Sequence, residues 1–192
     1  MIFFSADHHF YHSNIIRYCG RPFNSVEEMN EEMIRAWNSV VSPEDVVYYL
    51  GDFSLAIRPV ELFVRRLNGE KHLIMGNHDL CHPIHKKRAE RLFPKYFEFG
   101  FETVELSRNM EISGHDVLLH HMPYAFDEAE SEGRPTPKHR AYRPAKEDRW
   151  LLHGHIHEKW KVNGRMINVG VDVWDFKPVP IEEIEKILKE AD

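Results

Sequence analysis

A chain of 192 residues with 42% hydrophobic and 12% aromatic content fits one domain with a sizeable core. Its net charge of −6, histidines counted neutral, argues against tracking long nucleic acid through a row of phosphate contacts. It leaves room for a small phosphate ester, because bound cations reverse a local field. Only Cys19 and Cys81 are present, in no Cys-x-x-Cys pair, so a disulfide framework and a thiolate zinc site are not expected, and a reducing, cytoplasmic location is. Nothing reads as a signal peptide, and no apolar run approaches the roughly 18 residues of a membrane span.

Ile2 to Ser5 reads as a buried strand that stops at Asp7. Ser25 and Glu28 form a capping box, and Val26, Met29, Met33, Ala36, Trp37 and Val40 follow at helical spacing. Val46 to Leu50 is a β-rich run ending at Gly51-Asp52; Pro59 opens a second short helix and Gly69 closes that segment. His72 to Met75 is another buried strand, ending at Gly76-Asn77, and a third helix covers Ile84 to Phe93. This alternation is the pattern of mostly parallel strands with crossover helices. The character then changes. Phe101 to Leu106 and Met110 to Ser113 alternate as antiparallel strands, Gly114-His115 turns into Asp116 to Leu119, and Trp150 to Leu152 is a short strand. Asn163-Gly164 signals a hairpin between 160–162 and 166–169, and Ile181 to Lys189 closes as an amphipathic helix. Two sheets stacked face to face, with helices outside, accommodate both halves in a single α/β domain over residues 1–192. The polar segment from Asp127 to Arg149 begins acidic and ends basic, and reads equally as a substrate-facing flap or a surface excursion.

Five islands of ligand chemistry punctuate these elements: Asp7-His8-His9, Gly51-Asp52, Gly76-Asn77-His78-Asp79, His120-His121 and His153-Gly154-His155-Ile156-His157. Carboxylate, amide oxygen and imidazole are the ligands of Mn, Fe, Zn or Co. Asp7 and His9, two apart, share a side on an extended backbone, and His155 and His157 repeat that spacing. Asp52, behind a glycine, suits a carboxylate bridge between two cations. Asn77 adds a neutral oxygen and His121 a further imidazole. Such a pair of cations brings a bridging water towards neutrality and holds phosphate oxygens. His78 is placed to protonate the leaving oxygen, with Asp79 orienting its ring. His8 and His120 are expected to face away. His12, Asn14 and Arg17 either contact substrate phosphate or belong to a helix starting at Ser13. His72, His82, His85, His115 and His139 are read as solvated or structural. Asp172 and Trp174 are read as packing under the last island. The aromatics from Phe93 to Phe101 are read as core or a partner surface, with Phe97 and Phe99 hinting at a homodimer.

In this order, Asp-x-His, Gly-Asp, Gly-Asn-His-Asp, a His after a strand and Gly-His-x-His resemble the calcineurin-like metallophosphoesterase family, its small bacterial and phage-type members above all. The resemblance runs from Asp7 to about Asp172. It implies a four-layer α/β/β/α sandwich of two mixed β-sheets flanked by helices. It implies hydrolysis of phosphomonoesters or phosphodiesters by two divalent ions, with Mn expected and Fe, Zn, Ni or Co as alternatives. Carried over by position, it implies Asp7, His9, Asp52 and His157 on one ion, and Asp52, Asn77, His121 and His155 on the other. His78 matches the catalytic histidine. The family's single histidine is doubled here as His120-His121, and Pro123 favours His121; Gly154 sets the register on His155 and His157. The expectation is a metallophosphoesterase favouring diesters of small, nucleotide-like substrates, without membrane or extended nucleic-acid partners. The alternatives are a phosphomonoesterase, a nuclease or a catalytically silent metal-binding scaffold. A lactam or thioester hydrolase would carry an early His-x-His-x-Asp-His cluster, which is absent.

Overall fold

The computed structural model describes residues 1–124 and 137–191. Two five-stranded mixed sheets face each other. In the first, β1 (Ile2–Ser5), β2 (Val46–Tyr49), β3 (Glu70–Ile74) and β4 (Phe101–Glu105) run parallel, and the two-residue β10 (Val179–Pro180) adds antiparallel to β1. In the second, β5 (Ser107–Ile112) pairs antiparallel with β6 (His115–His120). There β6, β7 (Trp150–His153) and β9 (Met166–Asn168) are parallel, and β8 (Val162–Asn163) closes the edge as the hairpin partner of β9.

Alternation along β1 shows why this sheet is buried on both sides. Phe3 faces the helices α1 (Ser13–Tyr18), α2 (Val26–Asn38), α3 (Ile57–Phe63) and α4 (Lys87–Phe99), in a core with Met29, Met33, Trp37, Val60 and Tyr96. Phe4 faces the second sheet, in a core with Leu50, Ile74, Val117, Leu119, Leu152 and Ile167. The last helix, α6 (Ile181–Glu190), adds Ile184 and Leu188 to that intersheet core. On the outer face of the second sheet, Leu118, Tyr124 and Leu151 form a small cluster. The four-residue α5 (Pro137–Arg140) lies in the connection that leads into β7. The two mixed sheets flanked by helices are those anticipated.

Half of the capping box forms: Ser25 Oγ accepts from Glu28 N at 3.1 Å, but the Glu28 carboxylate accepts from Asn24 N at 2.7 Å rather than from Ser25. Three sequence expectations need correction. β4 is not antiparallel: it runs parallel to β3 in the first sheet, and the chain changes sheet at Leu106. Alternation reports which faces a strand has, not which strand lies beside it. The third helix continues through Pro94 to a left-handed Gly100 cap with φ of 116°, because burial of Tyr96 and Phe99 offsets what an interior proline costs. Phe99 is therefore core, leaving Phe97 as the exposed aromatic of that stretch. Of the 127–149 segment, residues 127–136 lie outside the described residues. Among the described residues, no helix is long and apolar enough to cross a membrane.

Candidate metal centre

The site lies where the tips of both sheets meet. Past their strands, the first two tips remain laddered: Asp7 N donates to Gly51 O at 3.0 Å, His9 N to Asp52 O at 3.1 Å and Phe10 N to Phe53 O at 2.8 Å. A parallel bridge from Ala6 to Gly170 then ties the first sheet to the end of the second. The ligand-bearing backbone is not extended, as the two-residue spacing suggested. Asp7, His9, Asp52, His155 and His157 all have positive φ, between 51° and 72°. Asp and His enter this region more readily than β-branched residues, at about 1–3 kcal/mol each, which the surrounding ladder must offset. Turn geometry, rather than strand alternation, aims these side chains inward.

Asp52 is the centre. Its Oδ2 lies 3.4 Å from His121 Nε2, 3.7 Å from His9 Nε2 and 4.0 Å from His78 Nε2, and its Oδ1 accepts from His78 N at 2.8 Å. Asn77 Oδ1 stands 3.2 Å from His121 Nε2. Two groups result, each with ligand atoms within 4.8 Å of one another: Asp7, His9 and His157, and Asp52, His121 and His155. The His9 and His157 rings stack at 5.0 Å, and those of His121 and His155 meet at 5.1 Å. Close approach requires glycine. A Cβ on Gly76 would stand 2.3 Å from Asp52 N and Oδ1, and one on Gly154 would stand 2.5 Å from Asp7 Oδ2.

The donor set fits divalent cations. Asp7 Oδ1 and both ring nitrogens of His9 are buried without a hydrogen-bond partner among the described residues, and an ion coordinated by Asp7 Oδ1 and one His9 nitrogen would remove a desolvation cost of about 1–3 kcal/mol at each of those two atoms. Burial holds His9 and His155 well below the usual imidazole range, hence neutral, which is the ligating form. Asp52 stays ionised: burial opposes this, but His121 and His9 outweigh it. The His121 ring, lowered by burial but raised more by Asp52, reaches about 9, and its proton is one that cation binding displaces. Its Nδ1 donates to Leu50 O at 2.7 Å, which turns Nε2 inward.

A buried scaffold orients these groups. Asp172 Oδ2 lies 3.4 Å from His157 Nδ1, as its expected place under the last island implied. Its other partner is Arg21, which binds both Asp172 oxygens at 2.7 and 2.9 Å and donates to Asp7 O and His8 O. Asn168 donates to His157 O and Trp160 O and accepts from Gly170 N. Arg21 and Asn168 escaped the sequence reading, because their partners are mostly backbone groups, which carry no motif.

Asp79 does not turn to the ring of His78. Its oxygens accept from Asp52 N, Phe53 N and Gly76 N at 2.8 to 2.9 Å, so it clamps two ligand loops together, and burial raises its carboxyl to about 7. The His78 side chain is 46% exposed, open to a substrate. His8 points into the core, among Phe10, Trp37 and Tyr49. His120 turns its Nδ1 to the Met122 backbone. His12 caps the helix that does begin at Ser13, with its ring 5.8 Å from that of His9, while Asn14 and Arg17 are exposed on that helix. On the opposite side, the His139 ring lies 6.2 Å from that of His155, and Tyr142 meets His82 at 4.7 Å. His82, read as solvated or structural, is buried, and His85 Nε2 stands 3.0 Å from Asn77 O.

Comparison with known proteins points to one family. A family model described as calcineurin-like phosphoesterase matches residues 1–179. An uncharacterised protein of Methanocaldococcus jannaschii is 32% identical over 200 residues, spanning 99% of this chain and 92% of the relative. The Gene 66 protein of Mycobacterium phage L5 is 31% identical over 186 residues, spanning 89% and 86%. The crystal structure of a protein of unknown function from Aquifex aeolicus superposes with a TM-score of 0.67 at 29% identity, covering 97% of this chain and 98% of that one.

Proposed function

The chain belongs to the calcineurin-like phosphoesterase family, and from that premise we propose that it is a hydrolase using two divalent cations, manganese first among them, on phosphodiesters. The observation that carries this reading is the convergence on Asp52 of imidazoles from both sheets: Asp52 belongs to one ligand triad with His121, and its Oδ2 lies 3.7 Å from His9 of the other. Asp7, His9, Asp52 and His157 would hold one ion, and Asp52, Asn77, His121 and His155 the other. Bound there, the cations supply an activated water and neutralise charge on the phosphate. The remaining work falls to the chain. Asp52 keeps its negative charge between the two groups, Asp79 holds the loops carrying Asp52 and Asn77, and Asp172 with Arg21 fixes His157. His78, exposed beside Asp52, gives a proton to the departing oxygen.

Preference for diesters is supported by walls on both sides of the centre. One carries His12, its ring 5.8 Å from that of His9; the other carries His139 and Arg143, whose charge is felt by His120, His153 and His155. Two ester arms are thereby accommodated. The test is nitrophenol release from bis-p-nitrophenyl phosphate and p-nitrophenyl phosphate after manganese reconstitution. Turnover of the diester should exceed that of the monoester and fall at least about a thousandfold in Asp52→Ala, since the metal centre supplies several kcal/mol at about 1.4 kcal/mol per tenfold. Equal rates in both proteins would exclude the reading. Faster monoester turnover would leave the enzyme but reverse its preference.

A further inference from the structure

Beyond His9, the centre opens onto side chains that no ligand position uses. The His12 ring lies between those of His9, at 5.8 Å, and Tyr18, at 6.3 Å and edge-on. Arg17 places its guanidinium 5.5 Å from the centroid of the Tyr18 ring. Ile15 is the residue that α1 buries, so Tyr18, 60% exposed, does not anchor the helix. Tyr11, 59% exposed and held at φ of 65° with its amide bound to Asn30 Oδ1, adds a second exposed ring next to the same segment. His12 Nδ1 is buried without a hydrogen-bond partner among the described residues. The ring of His12 and then the exposed ring of Tyr18, with the Arg17 guanidinium beside it, therefore follow one another outward from a phosphate-handling centre.

Resting on the phosphoesterase reading, we propose that His12, Arg17 and Tyr18 form a base subsite, so that the substrate is a nucleoside phosphodiester whose nucleobase stacks on Tyr18. A nucleobase offers the planar π-face that an exposed tyrosine recognises without demanding a sequence. Arg17 holds the tyrosine ring and adds cation–π attraction. The His12 ring, edge-on to Tyr18, links that platform to His9 at the centre. A single platform within a chain of net charge −6 suits one or two nucleotides rather than a long strand.

The experiment compares two nitrophenol-releasing diesters with the same leaving group: thymidine 5′-(p-nitrophenyl phosphate) and methyl p-nitrophenyl phosphate. The expected kcat/KM favours the thymidine ester by about tenfold, in keeping with the energy of base–aromatic stacking. That ratio falls towards one in Tyr18→Ala and is retained in Tyr18→Phe. A native ratio near one, or one that Tyr18→Ala leaves unmoved, overturns the subsite while leaving the phosphoesterase intact. If the native protein hydrolyses neither ester, it is the phosphoesterase reading that fails. Calorimetric titration with thymidine 5′-monophosphate then decides the subsite: a Kd raised about tenfold by Tyr18→Ala supports it, and an unchanged Kd or no binding overturns it.

Discussion

His8 and His9 are neighbours with opposite fates. Burial leaves both neutral, but His9 places Nε2 3.7 Å from Asp52 Oδ2 in the candidate ligand cluster while His8 sits fully buried with Nδ1 3.0 Å from Tyr49 Oη. Burial pulls His8 to about 3, below its ordinary value of 6.5, so its contribution to stability is complete above about pH 6.5 and lost as pH falls through about 3. We predict that the unfolding free energy falls by up to about 1.4 kcal/mol per pH unit on this account across that window. His8→Phe removes that share, read as a shallower slope of denaturant midpoint against pH. His82 and His153, also held near 3 by burial, act in the same direction, so the measurement is the difference between the two proteins. An identical slope would show that His8 does not titrate as its burial demands. At this scale the island residues were legible because Asp, Asn and His are chemically distinctive. Arg21 was not, because it acts through the carbonyls of Asp7 and His8 and a carboxylate 151 residues away.

Strand tips, rather than strands, build the site, and glycine decides how closely they approach. Gly76 leaves no room for a methyl group against Asp52 N and Oδ1. Gly76→Ala should cost about 3 kcal/mol or more, above the usual overpacking range, because the obstructing atoms are backbone and a buried carboxylate. It should also displace Asp52 and lower metal stoichiometry, measured by elemental analysis after reconstitution. The contrasting variant is Gly164→Ala, in the β8–β9 hairpin, where φ is 54° but nothing lies within 4 Å. It should cost only roughly 1 kcal/mol of backbone strain and leave metal content intact. Equal losses from both would refute the crowding argument. The parallel strands β1 to β3 were legible as short apolar runs ending in ligand islands. The partner of β4 was not, since its alternation suits either sheet. The two-residue β10 and the 3-10 turn at Val171–Val173, which carries Asp172, are too short to carry periodicity.

The molecule as a whole is two sheets joined by an intersheet core, with the centre on their common edge. Asp7, His9, Asp52 and Asn77 come from loops of the first sheet, and His121, His155 and His157 from loops of the second. Any ion bound by both sets stabilises the folded chain over the unfolded one. At about a hundred times its Kd, manganese should add about 2.7 kcal/mol and raise Tm by roughly 5–10 °C over a chelated sample, for a chain of this size. The shift should vanish in Asp52→Ala, and a native protein whose melting ignored manganese would contradict a centre shared by both sheets. The sequence order of the islands announced the fold class, since each follows a predicted strand; it could not announce that Ala6 bridges Gly170 to close the gap between the layers. That shared edge has a mechanical consequence. Besides that bridge and the covalent crossing at Leu106, the two sheets meet through the packed side chains of the intersheet core. Ions gripping both would act as rivets through the rim, so a chelator would loosen the joint as well as disarm the chemistry, and stiffness and turnover would be switched on by the same fastening.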